Sequence, residues 1–173
     1  MSDELRSVLL GTAGLGVVAV VALALTLARA IGAGGPELRR AVRMAAATAL
    51  LQAGHFAEEL ATGFPVRFPD ALGLAPWPPG FFVSFNLVWL AIWGASVQAL
   101  ARRRRAALFP LWFLGLAGAV NGIVHPLLAL RAGSYFPGLV SAPLLGVAGV
   151  WLLGRLWRVT AAGASSAAPP ASP

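Results

Sequence analysis

The sequence predicts an all-α, polytopic membrane helix bundle of about five transmembrane helices, with the N-terminus outside and the C-terminus cytoplasmic. Three observations carry that fold class. Of the 173 residues, 58% are apolar and only 11% charged, whereas a soluble domain carries about a quarter charged residues. Five apolar runs, roughly 7–31, 41–63, 80–101, 107–130 and 138–158, each reach the ~20 residues that a helix needs to cross a hydrocarbon core. The 13 basic residues, all arginine, outnumber the 6 acidic ones and gather in short clusters between these runs. A nucleic-acid surface is a basic stripe among polar residues, so a nucleic-acid partner is excluded. The absence of cysteine excludes disulfide frameworks, zinc-thiolate sites and thiol catalysis.

The first run follows Asp3, Glu4 and Arg6, and near its end Ala28-Arg29-Ala30 resembles a signal-peptidase site. Its apolar stretch exceeds the ~7–15 residues of a secretory signal and its leader is acidic, so it is expected to remain as a helix. Gly32 to Pro36 reads as a turn that feeds Pro36 into the first turn of the second helix, where the missing N–H is no loss. The segment Phe64–Gly80 holds Pro65, Pro69, Pro76, Pro78 and Pro79 and is expected to be neither helix nor central strand. Its Phe64, Phe68 and Trp77 are either boundary anchors or part of a lid over a site beneath. Residues 159–173, rich in Ala, Gly, Ser and Pro, read as a disordered tail, leaving residues 1–158 as a single membrane domain.

Cytoplasmic loops collect positive charge. With the N-terminus outside, Arg29, Arg39, Arg40, Arg43, Arg102 to Arg105, Arg155 and Arg158 fall inside, and only Arg6, Arg67 and Arg131 fall outside, a bias of ten to three. Arginine without lysine, beside abundant alanine and glycine, fits a GC-rich bacterial genome and hence a multi-pass protein of the bacterial cytoplasmic (inner) membrane.

Ionisable groups within a membrane are costly and mark functional sites. Both histidines lie in apolar runs, His55 in the second with Gln52, Glu58 and Glu59, and His125 in the fourth with Asn121. At 100° per residue His55, Glu58 and Glu59 share a sector of roughly 100°, with Gln52 one turn deeper on that side. Asn121 and His125 stack four residues apart on one face. Gly118 and Gly122 form a small-xxx-small pair that lets another helix approach, while Pro126 is expected to kink the helix near Gly122. From the 1.5 Å rise, His55, His125, Asn86 and Ser141 lie about 12, 8, 9 and 5 Å below the outer surface. Polar side chains from four helices thus occupy one layer in the outer half of the bilayer, and Tyr135 with Phe136-Pro137-Gly138 can hang over it.

These residues fall into three ordered motifs: His55-Phe-Ala-Glu58-Glu59, Asn121-Gly-Ile-Val-His125 and Tyr135-Phe-Pro137-Gly138-Leu-Val-Ser141. In this the chain resembles a family of bacterial membrane proteins named after its HxxEE motif, which also carries NxxxH and YxPGxxT motifs. The resemblance covers roughly residues 45–155 and departs from the pattern at Ser141, which keeps the hydroxyl of the family's threonine and lacks its methyl. It supports the choice of site residues and names no reaction.

Two histidines and two carboxylates on facing helices make a nitrogen and oxygen site for one divalent transition metal, zinc, iron or manganese. In that reading His55, His125 and one glutamate, Glu58, are the ligands. Glu59 serves as general base, Asn121 and Tyr135 orient substrate or stabilise developing charge, and Gln52, Asn86 and Ser141 contact substrate. The function is then metal-dependent hydrolysis or oxidation of a lipid-like or hydrophobic substrate near the outer leaflet. Two alternatives stand beside it. Glu58 and Glu59 with a histidine relay form a metal-free acid/base pair for an isomerase or cyclase of isoprenoid-like molecules, with no cofactor. Alternatively, the two histidines ligate a haem, or the cluster relays protons in transport, although five helices without an inverted repeat make a small transporter. A polar cluster that only satisfies itself is the remaining reading. The partners implied are membrane lipids and a hydrophobic small molecule, with a homo-oligomer left open.

Overall fold

A computed structural model describes residues 2–32 and 34–162. Seven α-helices form the fold: α1 (Asp3–Gly11), α2 (Ala13–Ala28), α3 (Gly35–Ala61), α4 (Phe64–Ala71), α5 (Pro79–Ala101), α6 (Leu108–Ala132) and α7 (Ala142–Val159). A short antiparallel pair, β1 (Arg29–Ile31) with β2 (Thr160–Ala162), closes one end. Three helices, α5, α7 and α6 with its preceding 3-10 turn, are long and apolar enough to cross a membrane, and a fourth span arises if the bent pair α1 and α2 counts as one.

The differences from the expected spans have local causes. The first run is broken at Thr12 by 43°, where the Thr12 hydroxyl donates to the Val8 carbonyl at 2.7 Å, a back-bond of the kind that bends helices. Its last residues, Arg29 to Ile31, leave the helix to pair with β2. The tail expected from residue 159 therefore begins with ordered chain at Thr160–Ala162, and residues 163–173 lie outside the described residues. Helix α3 is long enough to span, but Gln52, His55, Glu58 and Glu59 dilute its apolar content and it falls short by composition.

The clearest correction concerns the proline-rich segment, which was expected to hold no helix and contains α4. Pro65 stands in the first turn, where no N–H is needed. Pro69 cannot donate to the Pro65 carbonyl, and the Trp77 N–H fills that place at 2.8 Å as the chain folds back. Gly63, at φ 82°, makes the left-handed turn between α3 and α4.

Helix α6 is the centre of the bundle, packed on α7 and α2, while α3 lies against α7 and α5. Leu108, Leu111, Trp112 and Leu114 of α6 are fully buried with Leu152 and Leu156 of α7. The polar layout is inverted relative to a soluble protein. Leu50, Leu130, Val140 and Val147 face outward, while Thr48, Gln52, His55 and Glu59 are buried. On α3 the buried positions recur at three and four residues, Leu38, Ala41, Ala45, Thr48, Gln52, His55 and Glu59, so one stripe carries the polar groups inward.

Two devices hold the bundle. At the arginine-rich end, Arg29 stacks on Trp157 and donates to the carbonyls of Trp157 and Thr160, and Arg105 donates to the Thr26 and Leu27 carbonyls. Cations thus cap the C-termini of α7 and α2, where the helix dipole favours them. In the middle, α6 and α7 meet through glycines. A Cβ on Gly122 would lie 2.7 Å from the Gly146 Cα, and one on Gly149 would lie 2.6 Å from the Gly115 carbonyl oxygen. The expected pair Gly118 and Gly122 is thus part of a longer seam. Gly149→Ala is expected to destabilise the protein by about 1–3 kcal/mol through overpacking, whereas Gly94→Ala, with open space around it, is expected to be neutral or to stabilise by up to ~1 kcal/mol. Thermal unfolding in detergent checks both, and equal behaviour of the two variants would contradict the seam.

Candidate functional site

Where α3, α6 and the loop into α7 meet, His55, Glu59 and His125 form a buried cluster whose ligand-type atoms lie within 4.8 Å of one another. Glu59 follows His55 by one helical turn, and its Oε1 lies 3.4 Å from the Nε2 of His55 and 3.4 Å from the Nε2 of His125. The two imidazoles meet edge to face, with centroids 4.7 Å apart.

The surrounding hydrogen bonds decide which nitrogen of each neutral ring carries the proton. His125 Nδ1 faces the Pro137 carbonyl at 2.6 Å. A carbonyl only accepts, so Nδ1 carries the hydrogen and Nε2 the lone pair. His55 Nδ1 lies 2.8 Å from the Ser141 hydroxyl, and that hydroxyl donates to the Glu58 carboxylate. Its oxygen therefore accepts from His55 Nδ1–H, which leaves the lone pair of His55 on Nε2. The Asn121 amide lies 3.3 Å from that same Nε2 and can donate to it. When both rings are neutral, two imidazole lone pairs and one carboxylate oxygen thus converge in a buried space.

The two glutamates have different surroundings: the buried cluster takes in Glu59, while Glu58, the carboxylate expected beside the histidines, faces the neighbouring loop. Glu59 stands beside both imidazoles. Glu58 accepts from the Tyr135 hydroxyl at 2.7 Å, the Val140 N–H at 3.0 Å, the Ser141 N–H at 2.8 Å and the Ser141 hydroxyl. Helical spacing places both carboxylates in one sector and cannot distinguish them; the neighbouring loop does. Tyr135 and Ser141, expected to act on substrate, both donate to Glu58, and Ser141 links it to His55. Burial and the bond to Glu58 keep the Tyr135 phenol above its ordinary pKa, so it stays a donor at neutral pH. Gly138, at φ 84°, lies flat on the cluster: a Cβ there would be 2.6 Å from His125 Nδ1 and 2.7 Å from His55 Cε1. Pro126 lies inside α6, which runs unbroken through it to Ala132.

Beside the cluster lies a cavity of about 200 Å³. Its polar wall is Glu59, His125, Asn121, Gln52 and Asn86, so the last two sit where a substrate contact was expected. The Asn86 amide donates to its own helix at the Phe82 carbonyl. The remaining wall is aromatic and aliphatic, and Phe64, Phe68 and Trp77 from the proline-rich segment belong to it. Phe64 stacks near His125 with centroids 5.5 Å apart, which fits the lid reading of that segment. Trp77 is buried, and its indole N–H has no hydrogen-bond partner among the described residues. Sequence reasoning missed the contribution of the first run, whose Gly11, Thr12, Leu15 and Val18 close the cavity; the glycines at 11 and 14 were the available signal. It also missed Phe82 and Phe113, which as aromatic residues in apolar helices carry no distinguishing mark.

Comparison of the chain with protein families, with curated proteins and with solved structures finds no match.

Ser141 links Glu58 to His55, so its removal is expected to act on both. Ser141→Ala is expected to lower stability by about 1–3 kcal/mol, the effect of leaving a buried donor unpaired, while Ser141→Thr stays near the unsubstituted protein. Thermal unfolding of the two variants provides the check, and an unaffected alanine variant would contradict the relay.

Proposed function

We propose that the protein is a membrane-embedded, metal-dependent enzyme of the hydrolase or oxidoreductase type, acting on a lipid-like substrate held in the aromatic cavity. The observation that carries this reading is the convergence of His55 Nε2, His125 Nε2 and Glu59 Oε1 in one buried cluster. Ligand atoms sharing one tetrahedral ion lie about 3.3 Å apart, close to the 3.4 Å between Glu59 and each imidazole. Three protein ligands leave a position open for substrate or water, the pattern of catalytic rather than structural sites. Zinc, iron or manganese fits a donor set of two imidazoles and a carboxylate.

In this reading the ion supplies Lewis acidity at the polar end of the cavity. Glu58, through Ser141, fixes the tautomer of His55, and the Pro137 carbonyl does the same for His125, the outer support that metal-binding histidines normally have. Asn121, Gln52 and Asn86 offer hydrogen bonds to the reacting end of a substrate. The unpartnered Trp77 N–H offers another, and the aromatic wall takes the apolar body. Phe81 and Phe85 belong both to this cavity and to an open groove on the outer side of α5, which supports access from the surrounding lipid.

We also place the chain with the HxxEE-motif membrane proteins. The support is spatial: Glu58 and Glu59 of the first motif, Asn121 and His125 of the second, and Tyr135, Gly138 and Ser141 of the third are in mutual contact. The proposed topology is five spans in the bacterial inner membrane, with α3 included because its polar stripe faces inward, and with α4 on the outer side.

The decisive test is elemental analysis of protein purified without chelator or histidine tag. About one equivalent of zinc, iron or manganese is expected, lost in His55→Ala/His125→Ala and in Glu59→Gln and bound about tenfold or more weakly in Glu58→Gln, which removes the acceptor that orients His55 through Ser141; acid releases it because protons compete for the imidazoles. A metal-free protein whose double variant folds normally would move the chemistry to proton transfer by Glu59. Topology is tested separately, since a chain without cysteine accepts single probes cleanly. Asp70→Cys is expected to react with an impermeant maleimide in intact cells and Arg104→Cys only after lysis; the reverse result would invert the proposed orientation.

A further inference from the structure

The arginine-rich end carries a second feature that the metal cluster does not use. At the start of α3, Glu37 accepts from Arg40 and lies 3.4 Å from the Arg155 guanidinium. The hydrogen bond from Arg40 holds the Glu37 carboxyl below its ordinary range, with the charges of Arg155 and Arg158 adding to the pull. Three guanidinium groups therefore surround one carboxylate, and two positive charges have no acidic counterpart there. Directly alongside, between α3 and α7, runs a groove of about 290 Å³ lined by Met44, Val150, Trp151, Gly154, Arg155 and Arg158. Its charged and apolar parts are segregated: Arg158 stands in the last turn of α7 and Arg155 three residues before it, and Met44, Val150 and Trp151 lie deeper along the helices. Trp151 is 65% exposed, among the outward-facing apolar residues of α7. Gly154 opens the groove, since nothing lies within 4 Å of where its Cβ would be.

We infer that this groove binds one anionic phospholipid, its phosphate held by Arg155 and Arg158 and an acyl chain laid along Val150, Trp151 and Met44. The charge complementarity selects an anion, and the apolar floor below the arginines selects one with a hydrocarbon chain. Helix α7 is long and apolar enough to cross a membrane, which brings its last turn to headgroup level, where basic pockets between helices recognise anionic headgroups. Arginine suits the role because its planar fork takes a phosphate through two parallel hydrogen bonds. Glu37 works against binding by drawing Arg155 away, so the affinity is set by competition between carboxylate and phosphate.

The test uses the full chain in neutral detergent, titrated with phosphatidylglycerol bearing brominated acyl chains and read by tryptophan quenching, with Trp151→Phe identifying the share due to Trp151. Saturation is expected near about one equivalent, and brominated phosphatidylcholine is expected to leave Trp151 unquenched. Arg155→Gln/Arg158→Gln is expected to weaken binding about twenty-fivefold, near fivefold per arginine. Gly154→Leu fills the groove with every charge in place and is expected to abolish quenching. Glu37→Gln releases Arg155 and is expected to tighten binding, so the inference is tested in both directions even if the arginine variant does not fold. Equal quenching by both lipids would overturn it. So would full binding by Gly154→Leu, displacement by millimolar inorganic phosphate, or an equal loss in Arg102→Gln/Arg104→Gln, which removes the same charge elsewhere at that end.

Discussion

The Glu58 carboxylate is the point on which the site depends. It accepts four hydrogen bonds, all from Tyr135, Val140 and Ser141 in the connection between α6 and α7. A carboxylate can only accept, so each donor is fixed in direction as well as place. The Ser141 hydroxyl, committed to Glu58, can only receive from His55. The same anchored loop sets the Pro137 carbonyl against His125 Nδ1 and lays Gly138 across both rings, where any side chain would collide with them. One exposed-side interaction thus determines the proton positions of two buried histidines. A loop held less firmly would let the rings rotate, and a metal or proton site needs its ligands held to within about half an ångström.

That clamp is effective because the helices beneath it are close. The glycine seam of α6 and α7 brings the two backbones within van der Waals contact at Gly122 and Gly146, so the loop joining them is short and directed. Small-residue seams are the usual means of helix association where lipid provides no hydrophobic drive. Helix α3 then packs on α7 with Thr48 3.5 Å from the Ala148 carbonyl, and this carries His55 and Glu59 to the level of His125.

How legible this was in the sequence varies by feature. The four well-formed long helices apart from α2 were readable from apolar length, and α5 and α6 fall within two residues of the runs that predicted them. The convergence of His55, Glu59, Asn121 and His125 was readable from helical spacing and depth. The division of labour between Glu58 and Glu59 was not, because adjacent residues on a helix differ by 100° and only the partner loop distinguishes them. The helix at Phe64–Ala71 was hidden by its own prolines: the rule that proline breaks helices assumes an orphaned carbonyl, and the Trp77 N–H removes that penalty from a distance of eight residues along the chain. The bend at Thr12 rests on a hydroxyl back-bond that no periodicity reports.

The electrostatics of the cluster point to what it is for. Glu59 is buried, its Oε1 faces two nitrogen lone pairs, and none of the three atoms brings a proton to the others when both rings are neutral. In that arrangement the gathered lone pairs repel one another. A cation at the centre reverses every one of these interactions at once. A proton can satisfy one nitrogen and one oxygen, whereas a divalent ion could be held by both nitrogens and the carboxylate together. The cluster borders the aromatic cavity, where Asn121, Gln52 and Asn86 join Glu59 and His125 among the lining residues, with Thr12, Trp77 and Trp93 the remaining side chains that carry a polar atom. A site that served only to pair buried polar groups would need no such cavity beside it.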